Sequence, residues 1–229
     1  MKDPYVYEGT NILINLAKIK DQKQLDNYEL ALANLAIADL LRNPINIKST
    51  EDVFQIHFKL FKDVYSWAGQ SRTINIYKTE PVLDGLSVTY SDYNSIKNDL
   101  AKIQREIDVF DWKNSSKKEM IKKIVVVIAK MWQVHAFREG NTRTICLFLY
   151  LFMKKQGLKV NVDFIGKHSK YFRNALVLAS IGQYSEYEHL EAILMDSIFV
   201  KTGIGDEAKY QTIRGYELEK YEYNYHHIK

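Results

Sequence analysis

Residues 135–143 read His-Ala-Phe-Arg-Glu-Gly-Asn-Thr-Arg, and they lie between two segments with the apolar spacing of helices. Apolar side chains recur every three or four residues from Ile121 to Trp132, and they do so again from Ile145 to Phe152. A short connection between two apolar helices that carries one imidazole, one carboxylate, a Gly-Asn pair and two guanidinium groups is typical of a functional site. We therefore take residues 135–143, called the motif below, as the centre of the chain.

The residue types of the motif indicate phosphate chemistry. Gly140 and Asn141 fall where the second helix should begin, and the first N–H groups of a helix have no partners inside it, so they attract anions. Arg143 lies about one turn further on, from where its guanidinium can bind a phosphate with two hydrogen bonds. Glu139 would be an anion beside an anion unless a cation such as Mg²⁺ bridges them. Because His135 can act as a base near neutral pH, the motif predicts transfer of a phosphorus group to a hydroxyl.

The motif resembles the signature of Fic-domain proteins, H-x-F-x-D/E-G-N-x-R. The matching residues are His135, Phe137, Glu139, Gly140, Asn141 and Arg143. Two further stretches, 5–13 and 67–72, are similar to parts of Fic cores. The resemblance covers most of the chain before the polar tail, and it implies a mainly α, Fic-like helical bundle.

The resemblance also implies an activity, namely transfer of AMP from ATP to a Ser, Thr or Tyr hydroxyl of a target protein. His135 would take the proton from that hydroxyl, and Glu139 would hold the Mg²⁺ that bridges the α- and β-phosphates. Phe137 would point inward as an anchor of the loop. The phosphates would be bound by Gly140, Asn141, Thr142 and Arg143.

Two departures from the family pattern leave the donor nucleotide open. Thr142 stands where a second Gly is common, so its Cβ narrows the anion site although its hydroxyl can donate to a phosphate. Cys146 stands where adenylylating members often carry a second Arg. Two hypotheses of different class therefore remain. The first is an enzyme that moves AMP or another phosphate-containing group, and the second is a catalytically weak helical module that binds a nucleotide or a protein.

Regulated members of the family carry an inhibitory Glu in a motif of the form S/T-x-x-x-E-G/N. Ser115 and Glu119 have this spacing, but Met120 follows where Gly or Asn is expected. Ser115-Ser116 is better explained as the cap of a helix. The expected control is either a separate antitoxin-like inhibitor or none of this kind.

Residues 72–77 and 86–90 are rich in β-forming side chains, with turn residues between them. We expect a small β-hairpin over about 73–90, called the flap below, beside the motif. The resemblance implies that the edge of the flap binds an extended segment of the target protein. Lys78 could approach the nucleotide or the target, although an exposed lysine usually does neither. His57 is interpreted as a helix-surface or boundary residue without a role.

Length and composition predict one domain with an appendage: a Fic-like catalytic domain at 1–200 and a polar, Tyr-rich extension at 201–229 that ends in His226-His227. The chain has 229 residues, 46% of them hydrophobic, which is enough for a core. The net charge of +4 gives no strong argument for nucleic acid. Neither an apolar signal segment nor a run of about 18 apolar residues is present, so no membrane span is expected. The single cysteine, Cys146, favours a reducing cytoplasm, with export to a host cell left open.

Overall fold

The structure is a computed structural model, and it describes residues 3–199, 207–214 and 216–217. Within these residues the chain is mainly helical, as the sequence predicted. The helices are α1 (Gln22–Arg42), α2 (Asp52–Phe61), α3 (Ile96–Asp108), α4 (Lys117–Val134), α5 (Asn141–Lys155), α6 (Val162–Lys167), α7 (Ser169–Leu178) and α8 (Glu188–Phe199). Two short strands near the end, β1 (Thr212–Ile213) and β2 (Tyr216–Glu217), pair antiparallel. None of the described helices is long and apolar enough to span a membrane.

Helix α4 lies at the centre of the bundle, where it contacts α3, α5, α7 and α8. Its start is fixed by a capping box. The Ser116 hydroxyl accepts the Glu119 amide at 3.3 Å, and the Glu119 carboxylate accepts the Ser116 amide at 2.8 Å. The predicted helix cap is thereby confirmed, and Glu119 is engaged locally at the start of its own helix.

Helix α5 packs against α2 and α4, and it begins directly after Gly140. The fold therefore presents the N-terminus of a buried helix at the motif. At the other end of α5, Gly157 has a φ of 76°, as expected for the residue after a helix. The two ends of α5 thus each adjoin a glycine with positive φ.

The flap contains no β-strand, so the predicted hairpin is wrong. Neither arm has regular secondary structure, and the chain reverses through one turn of 3₁₀-helix at Pro81–Leu83. The Glu80 amide donates to the Leu86 carbonyl at 2.9 Å, but no regular ladder continues from there within the described residues. A ribbon of two strands is only marginally stable by itself, and the flap is instead held by packing. Its buried apolar side chains are Val82, Leu83 and Val88.

Much of the predicted 201–229 extension, including His226 and His227, lies outside the described residues. In the described part, Ile213 is buried on β1, which packs against α7. The hydroxyl of the buried Tyr210 donates to the Asp196 carboxylate of α8. These residues of the extension therefore pack on the bundle.

Candidate active site

Two residues in the left-handed backbone conformation bracket the loop between α4 and α5. His135 ends α4 with φ 49° and ψ 57°, and Gly140 precedes α5 with φ 79°. The side-chain amide of Asn141 closes the loop, because its Oδ1 accepts the Phe137 amide at 2.9 Å and its Nδ2 donates to the Phe137 carbonyl at 2.8 Å. The loop itself therefore uses the Asn141 side chain, for which we had expected a phosphate contact. The backbone amide of Asn141 remains in the first turn of α5.

His57 packs against this loop, and its interpretation as a helix-surface or boundary residue is wrong. The side chain is fully buried, and its ring stacks on Phe137 with 3.8 Å between the centroids. Nδ1 accepts the Gly69 amide at 2.8 Å, so the neutral ring carries its hydrogen on Nε2 and donates it to the Glu139 carbonyl at 3.0 Å. Burial lowers the pKa of His57 to about 3, which keeps the ring neutral. His57 thus connects α2 to the backbone of the motif.

His135 presents one ring nitrogen without a hydrogen-bond partner. Its Nδ1 lies 3.3 Å from the Trp132 carbonyl, which can only accept, so the hydrogen of the neutral ring is on Nδ1. Nε2 is buried and has no partner among the described residues. Tyr90 of the flap stacks on the ring at 4.0 Å. Burial, together with the nearby Lys78 ammonium, holds the pKa of His135 well below its usual value, so the ring offers an unprotonated Nε2.

Glu139 is paired with a lysine from the flap. The Lys78 ammonium lies 2.9 Å from Oε2 of Glu139, and the Gly140 amide donates to Oε1 at 3.1 Å. Burial raises the pKa of Glu139, but Lys78 and the Gly140 amide outweigh burial and hold that pKa well below its usual value. Only 17% of the Lys78 side chain is exposed. The expectation that Lys78 is exposed is therefore wrong, and its ammonium lies beside the motif.

The tip of α5 is packed tightly on one side. A Cβ on Gly140 would lie 2.4 Å from the Phe61 ring, so no larger residue fits this position without movement of the ring. The Thr142 hydroxyl accepts the Trp132 indole N–H at 3.1 Å, which leaves its own hydrogen to be donated. The N–H groups of the first turn have no acceptors inside the helix. These donors form a candidate anion site.

Arg143 extends from the helix tip toward α1. Its guanidinium donates to the Glu29 carboxylate, and its guanidinium carbon lies 4.9 Å from the centroid of the Phe61 ring. Glu29 is 9% exposed and also accepts the Tyr65 hydroxyl. The sequence interpretation did not include Glu29, because a single acidic residue in a long helix normally faces solvent.

The fully buried Arg72 ties the flap to the motif. Its Nε donates to the His135 carbonyl at 2.8 Å, and Nη1 donates to the Ile74 carbonyl at 2.7 Å. Nη2 donates to the carbonyl of Ser91, just past the other end of the flap. The Arg72 amide also donates to the Ala136 carbonyl at 2.9 Å. One side chain therefore fixes both stems of the flap beside His135.

Glu139 has the chemistry of a Mg²⁺ ligand. Its Oε2 already faces a cation, and one carboxylate suffices where phosphate oxygens and waters complete the coordination shell. A second group of possible ligands, Glu186, Glu188 and His189, has its donor atoms within 4.8 Å of one another. There, however, the Arg214 guanidinium lies 3.4 Å from Glu186 and opposes the binding of a cation. Of the two groups, Glu139 is the better candidate.

Residues 47–153 match the family described as Fic/DOC, and this range includes α2, the flap and the motif. The chain is therefore a Fic-domain protein. Among curated relatives, the protein adenylyltransferase VbhT of Bartonella schoenbuchensis is 31% identical over 185 residues, which are 80% of this chain but 36% of that protein. The probable protein adenylyltransferase y4lH of Sinorhizobium fredii is 29% identical over 80% of this chain and 90% of its own length.

Solved structures of Fic domains share the fold. The N-terminal Fic domain of Bep8 from Bartonella sp. 1-1C aligns with a TM-score of 0.70 at 20% identity, over 85% of this chain and 94% of that one. BepC from Bartonella tribocorum, solved with bound AMPPNP, aligns with a TM-score of 0.67 at 21% identity, over 84% of this chain and 95% of that one. At these identities the likeness establishes the fold.

Proposed function

We propose that this chain transfers AMP from ATP to a hydroxyl side chain of a target protein. The observation that carries the proposal is the buried His135, whose Nε2 is unprotonated and without a partner among the described residues, one short loop before the first residue of α5. The names of VbhT and y4lH support the same activity. The nucleotide bound to BepC supports ATP as the donor.

The phosphates would lie on the first turn of α5. The backbone amide of Asn141 and the Thr142 hydroxyl would donate to an anion, the Gly140 amide would join them on leaving the Glu139 carboxylate, and Arg143 adds positive charge. Because Arg143 contacts Glu29 in the described structure, it would share its guanidinium between that carboxylate and the nucleotide. Mg²⁺, when bound at Glu139, would neutralise charge on the α- and β-phosphates.

The acceptor hydroxyl would approach Nε2 of His135. As the hydroxyl oxygen forms its bond to the α-phosphorus, the bond between that phosphorus and the bridging oxygen breaks and pyrophosphate leaves. The hydroxyl proton passes to Nε2. Since the Tyr90 ring covers one face of the His135 imidazole, the acceptor must approach along the edge of the imidazole or displace Tyr90.

The flap is the proposed contact for the target protein, because it carries Tyr90 and Lys78 into the site and exposes the large side chains of Tyr77 and Leu86 to solvent. The inhibitor stays a proposal as well: Glu119 forms a helix cap with Ser116, so we infer a separate antitoxin-like protein as the form that such control would take. A single cysteine favours the cytoplasm as the compartment.

A labelling experiment with two nucleotides tests the proposal. The protein is incubated with Mg²⁺ and a cell lysate, in one sample with ATP labelled at the α-phosphate and in the other with ATP labelled at the γ-phosphate. We expect protein bands labelled from the α-position alone, and no label in the presence of EDTA. Label from the γ-position alone would show phosphoryl transfer instead. No label from either nucleotide, with Mg²⁺–AMPPNP still bound, would favour the weak binding module.

A further inference from the structure

The Glu139 carboxylate is paired with a cationic side chain of the protein, Lys78. The Lys78 ammonium is 2.9 Å from Oε2, while the other oxygen of the carboxylate is occupied by the Gly140 amide. Both side chains are largely buried, with 17% of Lys78 and 26% of Glu139 exposed. An ammonium in this position neutralises a carboxylate that would otherwise be partly desolvated without a charged partner.

A metal ion bound to Oε2 of Glu139 and the Lys78 ammonium cannot both occupy the position beside that oxygen. Mg²⁺ binds oxygen at about 2.0–2.1 Å and requires nearly octahedral surroundings. Since like charges at this separation repel strongly in a partly buried site, the ammonium must move when the metal binds.

The backbone of Lys78 limits how far the ammonium can move. The Lys78 amide donates to the Ser87 hydroxyl at 3.3 Å. Two residues further on, the buried Glu80 forms two hydrogen bonds with Arg173 of α7, at 2.7 and 3.0 Å. The arm of the flap is therefore held, while the four-carbon stem of the lysine can still rotate. Within that reach, the bound nucleotide would bring several negative oxygens.

We propose that Lys78 is a further phosphate ligand, whose ammonium neutralises Glu139 in the metal-free protein and moves onto the nucleotide phosphates when Mg²⁺ takes its place. This inference rests on the proposed function, because it requires a nucleotide at the tip of α5. It makes the flap part of the nucleotide site, with a role separate from any contact to the target.

Calorimetry with Mg²⁺–AMPPNP tests the inference without a measurement of activity. Four proteins are compared: the wild type, Lys78→Met, Lys78→Arg, and Lys97→Met as a control that removes an exposed lysine of α3. We expect Lys78→Met to bind roughly tenfold more weakly, as for one lost charge-assisted hydrogen bond. Lys78→Arg, which keeps a cation, should recover most of the affinity, and Lys97→Met should bind like the wild type.

The same comparison in a Glu139→Gln background separates the phosphate contact from the ion pair. If Lys78 binds phosphate, its removal weakens binding in this background too. Unchanged or tighter binding by Lys78→Met in either background would overturn the inference alone, since Lys78 would then only block the carboxylate. Failure of the wild type to bind Mg²⁺–AMPPNP would overturn the proposed function, and the inference with it.

Discussion

Single residues shape the loop at the tip of α5, and Gly140 is the one with the least freedom. It has a φ of 79°, and a Cβ at this position would meet the Phe61 ring at 2.4 Å. Gly157, at the other end of the same helix, has a similar φ of 76°, but a Cβ there would meet nothing within 4 Å. Substitution of Gly157 therefore tests the cost of the backbone conformation alone, whereas substitution of Gly140 adds the cost of close packing.

We predict that Gly140→Ala loses most of its affinity for Mg²⁺–AMPPNP, because the Phe61 ring or the helix tip must shift. Gly157→Ala should lose only stability, by roughly 1–2 kcal/mol for a left-handed alanine. Calorimetry and urea unfolding of both variants check this. Equal nucleotide affinity of the two variants would contradict a site at the helix tip.

His57 is the second residue on which the loop depends. In His57→Ala, the Gly69 amide and the Glu139 carbonyl both lose a partner inside the core, and a cavity forms beside Phe137. We predict a loss of about 2–4 kcal/mol in the free energy of unfolding. A loss under about 1 kcal/mol in urea unfolding would show that this support is not needed.

The burial of His57 could have been predicted from its spacing in the sequence. His57 stands one residue after Ile56 and three before Leu60, so it falls on the buried face of α2. An interpretation that counts only apolar residues leaves such a histidine on the surface. Helical geometry would have placed it in the core, although its two partners come from distant parts of the chain.

At the scale of elements, the flap is held by two buried arginine interactions rather than by strand pairing. Arg72 binds both stems, and Arg173 of α7 binds Glu80, which is 1% exposed. The sequence predicted where the flap lies and that it adjoins the motif. It did not predict the loss of the hairpin, because β-propensity is local whereas these arginine partners are distant in sequence.

We predict that Arg173→Met lowers the free energy of unfolding by about 3 kcal/mol, since it leaves the buried Glu80 carboxylate without its guanidinium. Adding Glu80→Gln to that variant should recover part of the loss, because a neutral amide is less costly to bury. Urea unfolding of the single and double variants measures the difference. Equal stability of the two would mean that Glu80 is hydrated or bonded elsewhere in the variants.

Helix α5 carries Cys146 one turn after Thr142, in a position packed against the core. Burial raises the pKa of its thiol to about 12. A raised pKa means little thiolate at pH 8, so we predict alkylation by iodoacetamide at least about tenfold slower than for an ordinary cysteine. The urea-unfolded protein is the control. Fast alkylation of the folded protein that Mg²⁺–AMPPNP suppresses would instead place the thiol beside the phosphates.

At the scale of the whole molecule, the helical bundle follows from apolar periodicity, and the central place of α4 and α5 follows from the two apolar segments around the motif. The sequence also predicted that the motif lies between these two helices. The supports of the motif were not predicted: Glu29, His57, Arg72 and Lys78 reach the loop from other elements. Contacts of this kind depend on how helices pack, which local spacing does not specify.

In the proposed mechanism the two ends of the loop have different roles: the tip of α5 binds the nucleotide, and His135 takes the proton from the acceptor hydroxyl. The direct test is the rate of AMP transfer by His135→Ala at saturating Mg²⁺–ATP, measured beside its affinity for Mg²⁺–AMPPNP. We predict that affinity stays close to that of the wild type, while transfer falls by about 10²–10⁴-fold. Transfer at the rate of the wild type would contradict the central claim.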